Sequence, residues 1–266
     1  MPTYIHLVRH AQGFHNSTGN HQIRDPDLTP LGEEQCARLQ AEFPLLPQIT
    51  HLVASPLRRT LHTCLLSFRP ALQNAAVSNT VTAVPGLQEI STMPCDVGSS
   101  RAALAAEFGG RVDLRLVDDA WTDKASAASP YAPDMRKLEA RARAARVWLR
   151  ELGRAFEAAH PGVDAHIVAV THGGFLHFLT QDWDGMNPRS GTGWANAEWR
   201  TYGFVEGPEG EGEGEARLRE REVSWRRRRG SETGLSETEQ MELRSAVGLG
   251  LETERRKWDA MNGKGE

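Results

Sequence analysis

Two histidines stand where short apolar runs end. The first follows Leu7-Val8-Arg9, giving Leu7-Val8-Arg9-His10-Ala11; the second stands in Val168-Ala169-Val170-Thr171-His172-Gly173-Gly174. Each apolar run reads as a strand, and each histidine opens a stretch of small or polar residues. Open α/β sheets hold their ligands at the carboxyl ends of strands. Two more polar segments fall at such ends, residues 55–59 and the loop that carries Glu89. Together they bring two arginines, two histidines and a carboxylate to one cleft.

Such a set suits phosphoryl chemistry better than metal chemistry. Guanidinium forks match the equatorial oxygens of a phosphate. An imidazole attacks phosphorus and splits one hard step into two. A carboxyl group opposite it protonates the leaving oxygen, and a second imidazole stabilises the oxygens in transit. Zinc on His10, His172 and a carboxylate is the alternative from another enzyme class, but the flanking arginines would repel the cation. A Walker-type glycine loop is not found, which argues against a kinase.

At this point a resemblance becomes specific. The chain resembles the histidine phosphatase superfamily, in its phosphoglycerate mutase-like branch. Five blocks follow in family order: Arg9-His10-Ala11; Leu28-Thr29-Pro30-Leu31-Gly32 with Gln35; Ser55-Pro56-Leu57-Arg58-Arg59-Thr60-Leu61-His62-Thr63; Leu87-Gln88-Glu89; and Val170-Thr171-His172-Gly173-Gly174. Within the family it is similar to fungal phosphatase-like members, through His10-Ala11-Gln12-Gly13-Phe14-His15-Asn16 and Pro94-Cys95-Asp96. The resemblance implies a nucleophile at His10, phosphate-clamping arginines at Arg9 and Arg59, a second pocket histidine at His172 and a general acid at Glu89. It implies a phosphate contact for Asn16, and spacing gives the clamp to Arg59 and turns Arg58 outward. His15 either lines the pocket for an anion or is a loop histidine. His62 and His177 are expected to be structural. Ala11 stands where glycine is usual, which matters only if that position needs a positive φ.

The expected fold is α/β, a three-layer sandwich with a mostly parallel central sheet and a helical or loop lid. Strands are expected at 4–9, 49–54, 80–84, 165–171, 198–205 and, at an edge, 217–225. Helices are expected from Thr29 as cap, with a stripe of Leu31, Gln35, Leu39 and Phe43; from Ser55, with Leu57, Leu61, Leu65 and Phe68; near 100–108; over 134–160; and over 173–180. Residues 1–225 form one domain with a lid at 90–160, where Met93, Phe108, Trp121 and Tyr131 face the substrate or hold the lid to the core. Arg101 and Trp183 are further candidates for the pocket wall. An acidic, glycine-rich turn is expected at 206–215. Beyond it, 226–266 is a charged extension, a peripheral helix or partly disordered, and Arg226 to Arg229 form a solvated run.

A net charge of -4 argues against nucleic acid as partner, while leaving room for a basic pocket. Cys36, Cys64 and Cys95 lack metal or disulfide spacing, which favours a reducing, cytoplasmic setting. No membrane span or signal segment is expected. The segment after Glu89 has no basic side chain until Arg101, which favours hydrolysis of a small-molecule phosphate ester or diphosphate through phosphohistidine. Mutase-type transfer and an inactive phosphate-binding protein are the alternatives. Neither metal nor cofactor is expected, and oligomeric state is not readable.

Overall fold

The chain is described by a computed structural model over residues 2–73, 79–187, 191–205 and 214–261. Its sheet has seven strands: β1 (Thr3–Arg9), β2 (His51–Ala54), β3 (Val81–Ala83), β4 (Val112–Asp113), β5 (Ala165–Thr171), β6 (Trp199–Phe204) and β7 (Leu218–Glu220). Their order is β4-β3-β2-β5-β1-β6-β7. The first five in that order run parallel, β6 pairs antiparallel with β1, and β7 pairs antiparallel with β6.

The layers follow from the period-2 alternation of side chains. Val168 and Val170 of β5 join Val8, Leu52 and Ala54 on one face. There they meet Leu39 of α2 (Pro30–Glu42) and Leu61, Cys64 and Leu65 of α3 (Arg58–Ser67). Ile167 and Ala169 join Ile5, Leu7 and Val53 on the other face. That face packs under Leu138, Ala142, Ala145 and Leu149 of α5 (Met135–Ala159) and Phe175, Leu176 and Leu179 of α6 (Gly173–Thr180). All seven residues of β5 are buried, as a doubly covered strand requires.

Several expectations change. The stripe of α2 is Gly32, Cys36, Leu39 and Phe43, whereas Leu31 is exposed and Gln35 bonds the Gln12 amide. A Cβ on Gly32 would stand 2.2 Å from the carbonyl oxygen of Gln12, which explains the glycine of that block. The turn-rich 11–28 segment holds a short helix, α1 (Phe14–Thr18). The 101–108 region is helical, as α4 (Arg101–Phe108), and the two-residue β4 was not anticipated. Residues 135–159 do not cover the strand ends, because α5 lies against the sheet and only Leu138, in its first turn, reaches the cleft.

The largest correction concerns the C-terminal part. The strand expected at 217–225 stops at Glu220, and α7 (Glu222–Arg229) follows, so a boundary at 225 would cut a helix. Its arginines dock on their own protein. Arg228 pairs with Glu220 at 2.7 Å, Arg229 pairs with Asp184, and the Arg227 guanidinium lies 3.3 Å over the Trp199 ring. Residues 237–261 form one helix, α8 (Glu237–Met261), seated on the core through buried Val247. The acidic turn at 206–215 falls outside the described residues except for its last two. No helix among the described residues is long and apolar enough to cross a membrane.

Candidate active site

Strand register brings the two histidines together. β1 and β5 are parallel neighbours with Arg9 opposite Thr171, so His10 and His172 each stand one residue beyond the paired ends. Their rings lie 5.2 Å apart. A cleft of about 260 Å³ opens there, lined by Arg9, His10, His15, Asn16, Arg59 and Glu89 among others. His172 is fully buried and does not line it; Arg59 covers it. Phe108 and Trp121 pack in the core, as does Trp183, and Arg101 is exposed away from the cleft, whereas Met93 lines it.

The hydrogen bonds set the tautomers. His10 Nδ1 lies 2.7 Å from the carbonyl oxygen of Ala11, which can only accept, so Nδ1 carries the hydrogen. Nε2 therefore holds the lone pair, and Arg59 Nε donates towards it at 3.3 Å. On His172 the pattern inverts. Arg59 Nη2 donates to Nδ1 at 3.0 Å, and Nε2 donates to Ser55 Oγ at 2.8 Å. Ala11 is buried and absent from the positive-φ residues, so alanine suits that position. Its amide donates to Thr63 Oγ1.

Glu89 sits at the amino end of α6. Its Oε1 accepts from the amides of Ile90 and Phe175, both at 2.9 Å, and Oε2 from that of Gly174 at 3.1 Å. The glycine pair lets the helix approach: a Cβ on Gly174 would stand 2.7 Å from Glu89 Oε1, and one on Gly173 would meet Thr192 at 2.3 Å. Burial, then the charge of Asp96, raises the Glu89 pKa, which suits a proton donor. Burial, then Arg59 and Arg9, holds His10 well below the usual histidine range, so its imidazole is neutral.

Three contributors were not anticipated. Asp96 Oδ1 accepts from Arg59 Nη2 at 2.9 Å. Burial alone would raise its pKa, but Arg59 and Lys124 outweigh that and hold it below the usual carboxylate range. Lys124 is buried and spans the acid loop, donating to the carbonyls of Glu89 at 2.6 Å and Asp96 at 3.1 Å. Ser55 holds His172 from beneath. Ser55 and Asp96 sat inside noted motifs, but Lys124 had no signal beyond being a lysine beside a Ser/Ala-rich stretch.

Other histidines and arginines fall as expected. Arg58 pairs outward with Asp27 and Glu107, each at 2.7 Å. His62 meets the same carboxylates, and buried His177 bonds Asp182 O and Thr192 Oγ1. Asn16 Oδ1 accepts from the Gly13 amide, which leaves its Nδ2 as donor. His15 is 5% exposed, and its ring lies 5.7 Å from that of His10. Two buried nitrogens of the cleft, Arg9 Nε and His15 Nδ1, lack a hydrogen-bond partner. An unpaired buried polar group is costly, and the oxygens of an anion would satisfy such atoms. Cys36, Cys64 and Cys95 are free and buried. Among the described residues the one group with metal-ligand spacing is Asp27, His62 and Glu107, outside this cleft and already on Arg58.

Residues 5–209 match the model of the histidine phosphatase superfamily (branch 1). The chain belongs to that superfamily. A probable phosphatase of Schizosaccharomyces pombe is 33% identical over 110 residues, 40% of this chain and 50% of the relative. A phosphoglycerate mutase-like protein of Arabidopsis thaliana is 43% identical over 75 residues, 24% of this chain and 22% of the relative. The chain thus spans half or less of these curated relatives. The ecdysone phosphate phosphatase of Bombix mori, solved with tungstate, superposes with TM-score 0.54 at 17% identity, covering 77% of this chain and 92% of that one. A mycobacterial hydrolase superposes with TM-score 0.51 at 19% identity, covering 93% and 99%. These two likenesses concern the fold.

Proposed function

We propose that the chain is a phosphatase that hydrolyses a small-molecule phosphate ester or diphosphate through a phosphohistidine. The observation that carries this reading is the bond from His10 Nδ1 to Ala11 O, which leaves the Nε2 lone pair beside Arg59. Nε2 attacks phosphorus, and the bond from phosphorus to the ester oxygen breaks. Glu89, protonated, gives its proton to the departing oxygen. Water then loses a proton to the Glu89 carboxylate and attacks phosphorus, the P–N bond breaks, and inorganic phosphate leaves. Arg9 and Arg59 clamp the equatorial oxygens, with Asn16 and His15 as further contacts. His172, on Ser55, supports Arg59 from below and so orients the guanidinium for the phosphate.

Transfer to water, as against a second hydroxyl, is favoured by the cleft mouth. Among the described residues, the guanidinium groups lining the cleft are Arg9 and Arg59, both beside His10. The segment that follows Glu89 offers a carboxylated acceptor or a second phosphate no basic side chain before Arg101. The reading needs no metal and no cofactor, and the three free thiols fit a reducing, cytoplasmic setting.

The test is turnover of an aryl phosphate by the full chain and by His10→Ala, with labelling quenched in alkaline detergent. We expect an acid-labile, alkali-stable phosphoryl label in the parent and a loss of at least about a thousandfold in the variant. Equal rates would sink the assignment. Full activity in chelator is also expected. Release of all label to water, with none to added phosphoglycerate, separates hydrolysis from mutase transfer.

A further inference from the structure

We propose that Lys124 is a positioning residue for the general acid, an internal cation that straps the backbone of Glu89 to that of Asp96 and so governs proton donation to the leaving group. This rests on the phosphatase reading above. It extends that reading to a side chain outside the cleft lining.

The ammonium is built into the fold behind the acid. Lys124 is 2% exposed. Its Nζ donates to the carbonyl oxygen of Glu89 at 2.6 Å and to that of Asp96 at 3.1 Å. These residues are the two ends of one loop. One end carries the acid, and the other carries the carboxylate that holds Arg59 at 2.9 Å. Lys124 is thus the link between proton donor and clamp. Its own segment is fixed against the same loop. Gln88 Nε2 donates to the Trp121 carbonyl at 3.1 Å, and a Cβ on Gly98 would stand 1.9 Å from the Trp121 ring. Arg141 of α5 adds a second cation: it donates to the carbonyls of Gln88 and Glu89 and lies 4.2 Å over the Phe175 ring. The backbone of Glu89 is held by these two cations while its carboxyl group is held by the amides at the start of α6.

A lysine is a costly choice for a strap. Burying an ammonium takes far more free energy than burying an apolar side chain of the same length. Burial first, then Arg141 and Arg59, draw Lys124 down to about 7, against Asp96 and Glu89, which favour the ammonium. The attraction is mutual, so the ammonium favours the carboxylate form of Glu89. Arg59, Arg9 and Arg141 act in the same sense, whereas burial and Asp96 favour the protonated form. Lys124 therefore keeps the acid from holding its proton too tightly. A group that gives a proton in one step and takes one in the next needs that balance.

Steady-state pH profiles on glycerol 2-phosphate and 4-nitrophenyl phosphate test this, with the full chain, Lys124→Met and Lys124→Gln. Methionine keeps the stem and removes the charge and both donors; glutamine keeps a donor without the charge. Lys124→Met should slow the alkyl ester about tenfold and the activated aryl ester by about threefold or less. Without the cation Glu89 stays protonated to higher pH, so the alkaline limb on glycerol 2-phosphate should move up by about one pH unit. Lys124→Gln should show the same movement with a smaller loss of rate, and it carries the test if Lys124→Met does not fold. An unmoved limb, or equal losses on both esters, overturns the proposal and leaves the phosphatase reading intact. Failure of both variants to fold makes the strap structural and overturns it too. Turnover of neither ester by the parent would remove both readings.

Discussion

The guanidinium of Arg59 is tied to the carboxylate of Asp96 at 2.9 Å, with the two side chains only 1% and 10% exposed. The same terminal nitrogen reaches His172. An internal anion thus occupies one arm of the proposed phosphate clamp, and in that reading an incoming phosphate competes with it. Asp96 also stands second only to burial in raising the pKa of Glu89. Asp96→Asn should lower that pKa. The protonated acid would then be lost at lower pH, so the alkaline limb of turnover on an alkyl phosphate should move towards acid. A pH profile with 4-nitrophenyl phosphate, whose leaving group needs no proton, should keep its alkaline limb. An alkyl-phosphate limb that stays in place would refute the link.

Glu89→Gln should slow alkyl phosphates by about a hundredfold, the scale of one general acid, and activated aryl phosphates far less. Steady-state rates on both esters check this. Equal losses would give Glu89 another role.

Gly174→Ala should displace the acid without breaking the helix. The new methyl would stand 2.7 Å from Glu89 Oε1 and 2.9 Å from Ile90 Cδ1, while the backbone φ at this glycine is not positive. Turnover of alkyl phosphates should fall about tenfold or more, with His10 phosphorylation by an aryl ester largely kept. A variant that matches the parent on both esters would show that the carboxylate is not held by this approach.

Mild acid should unfold the protein. Burial holds His6 and His15 down to about 3, and burial, then Arg59, holds His10 and His172 well below 6.5. The folded state keeps these rings neutral while the unfolded chain protonates them. Stability is therefore full above the unfolded pKa and lost as pH falls below it towards the folded values. Each such ring takes about 1.4 kcal/mol per pH unit in that window. Thermal melts from pH 7.5 to 5 should show a steep fall below about pH 6. A flat melting temperature over that span would contradict neutral burial.

Ser55→Ala should act through His172. The buried Nε2–H would lose its acceptor, at a cost of about 1–3 kcal/mol in stability. Arg59 would lose its support, so KM for phosphate esters should rise more than kcat falls. A variant with reduced stability but an unchanged KM would confine Ser55 to packing.

The juxtaposition at the floor of the candidate site was legible because its parts are local. Apolar runs ending in Arg9-His10 and Thr171-His172 mark strand ends, and Glu89 follows a short loop within one block. Asp96 and Lys124 were less so, because their partners are far along the chain: Arg59 is 37 positions from Asp96, and Glu89 is 35 from Lys124. The same holds for Arg226 to Arg229, which look like a solvated run until Glu220, Asp184 and Trp199 are placed beside them. Leu31 fits the helical period yet faces solvent, because α2 approaches Gln12 through Gly32. The seating of α8 depends on a surface that α5 and the 182–186 turn create together, and no short window contains it.

The position of β5 has a consequence for how the protein is made. It lies between β1 and β2 and pairs with both, and β6 pairs with the other edge of β1. On the ribosome, the first strand therefore waits unpaired until more than 160 further residues have been translated. Contacts so distant in sequence close slowly, and unpaired strand edges invite association with other nascent chains. Chain fragments that stop before residue 165 should lack a continuous sheet. His10 can meet His172 only after the helices and strands between them have been made.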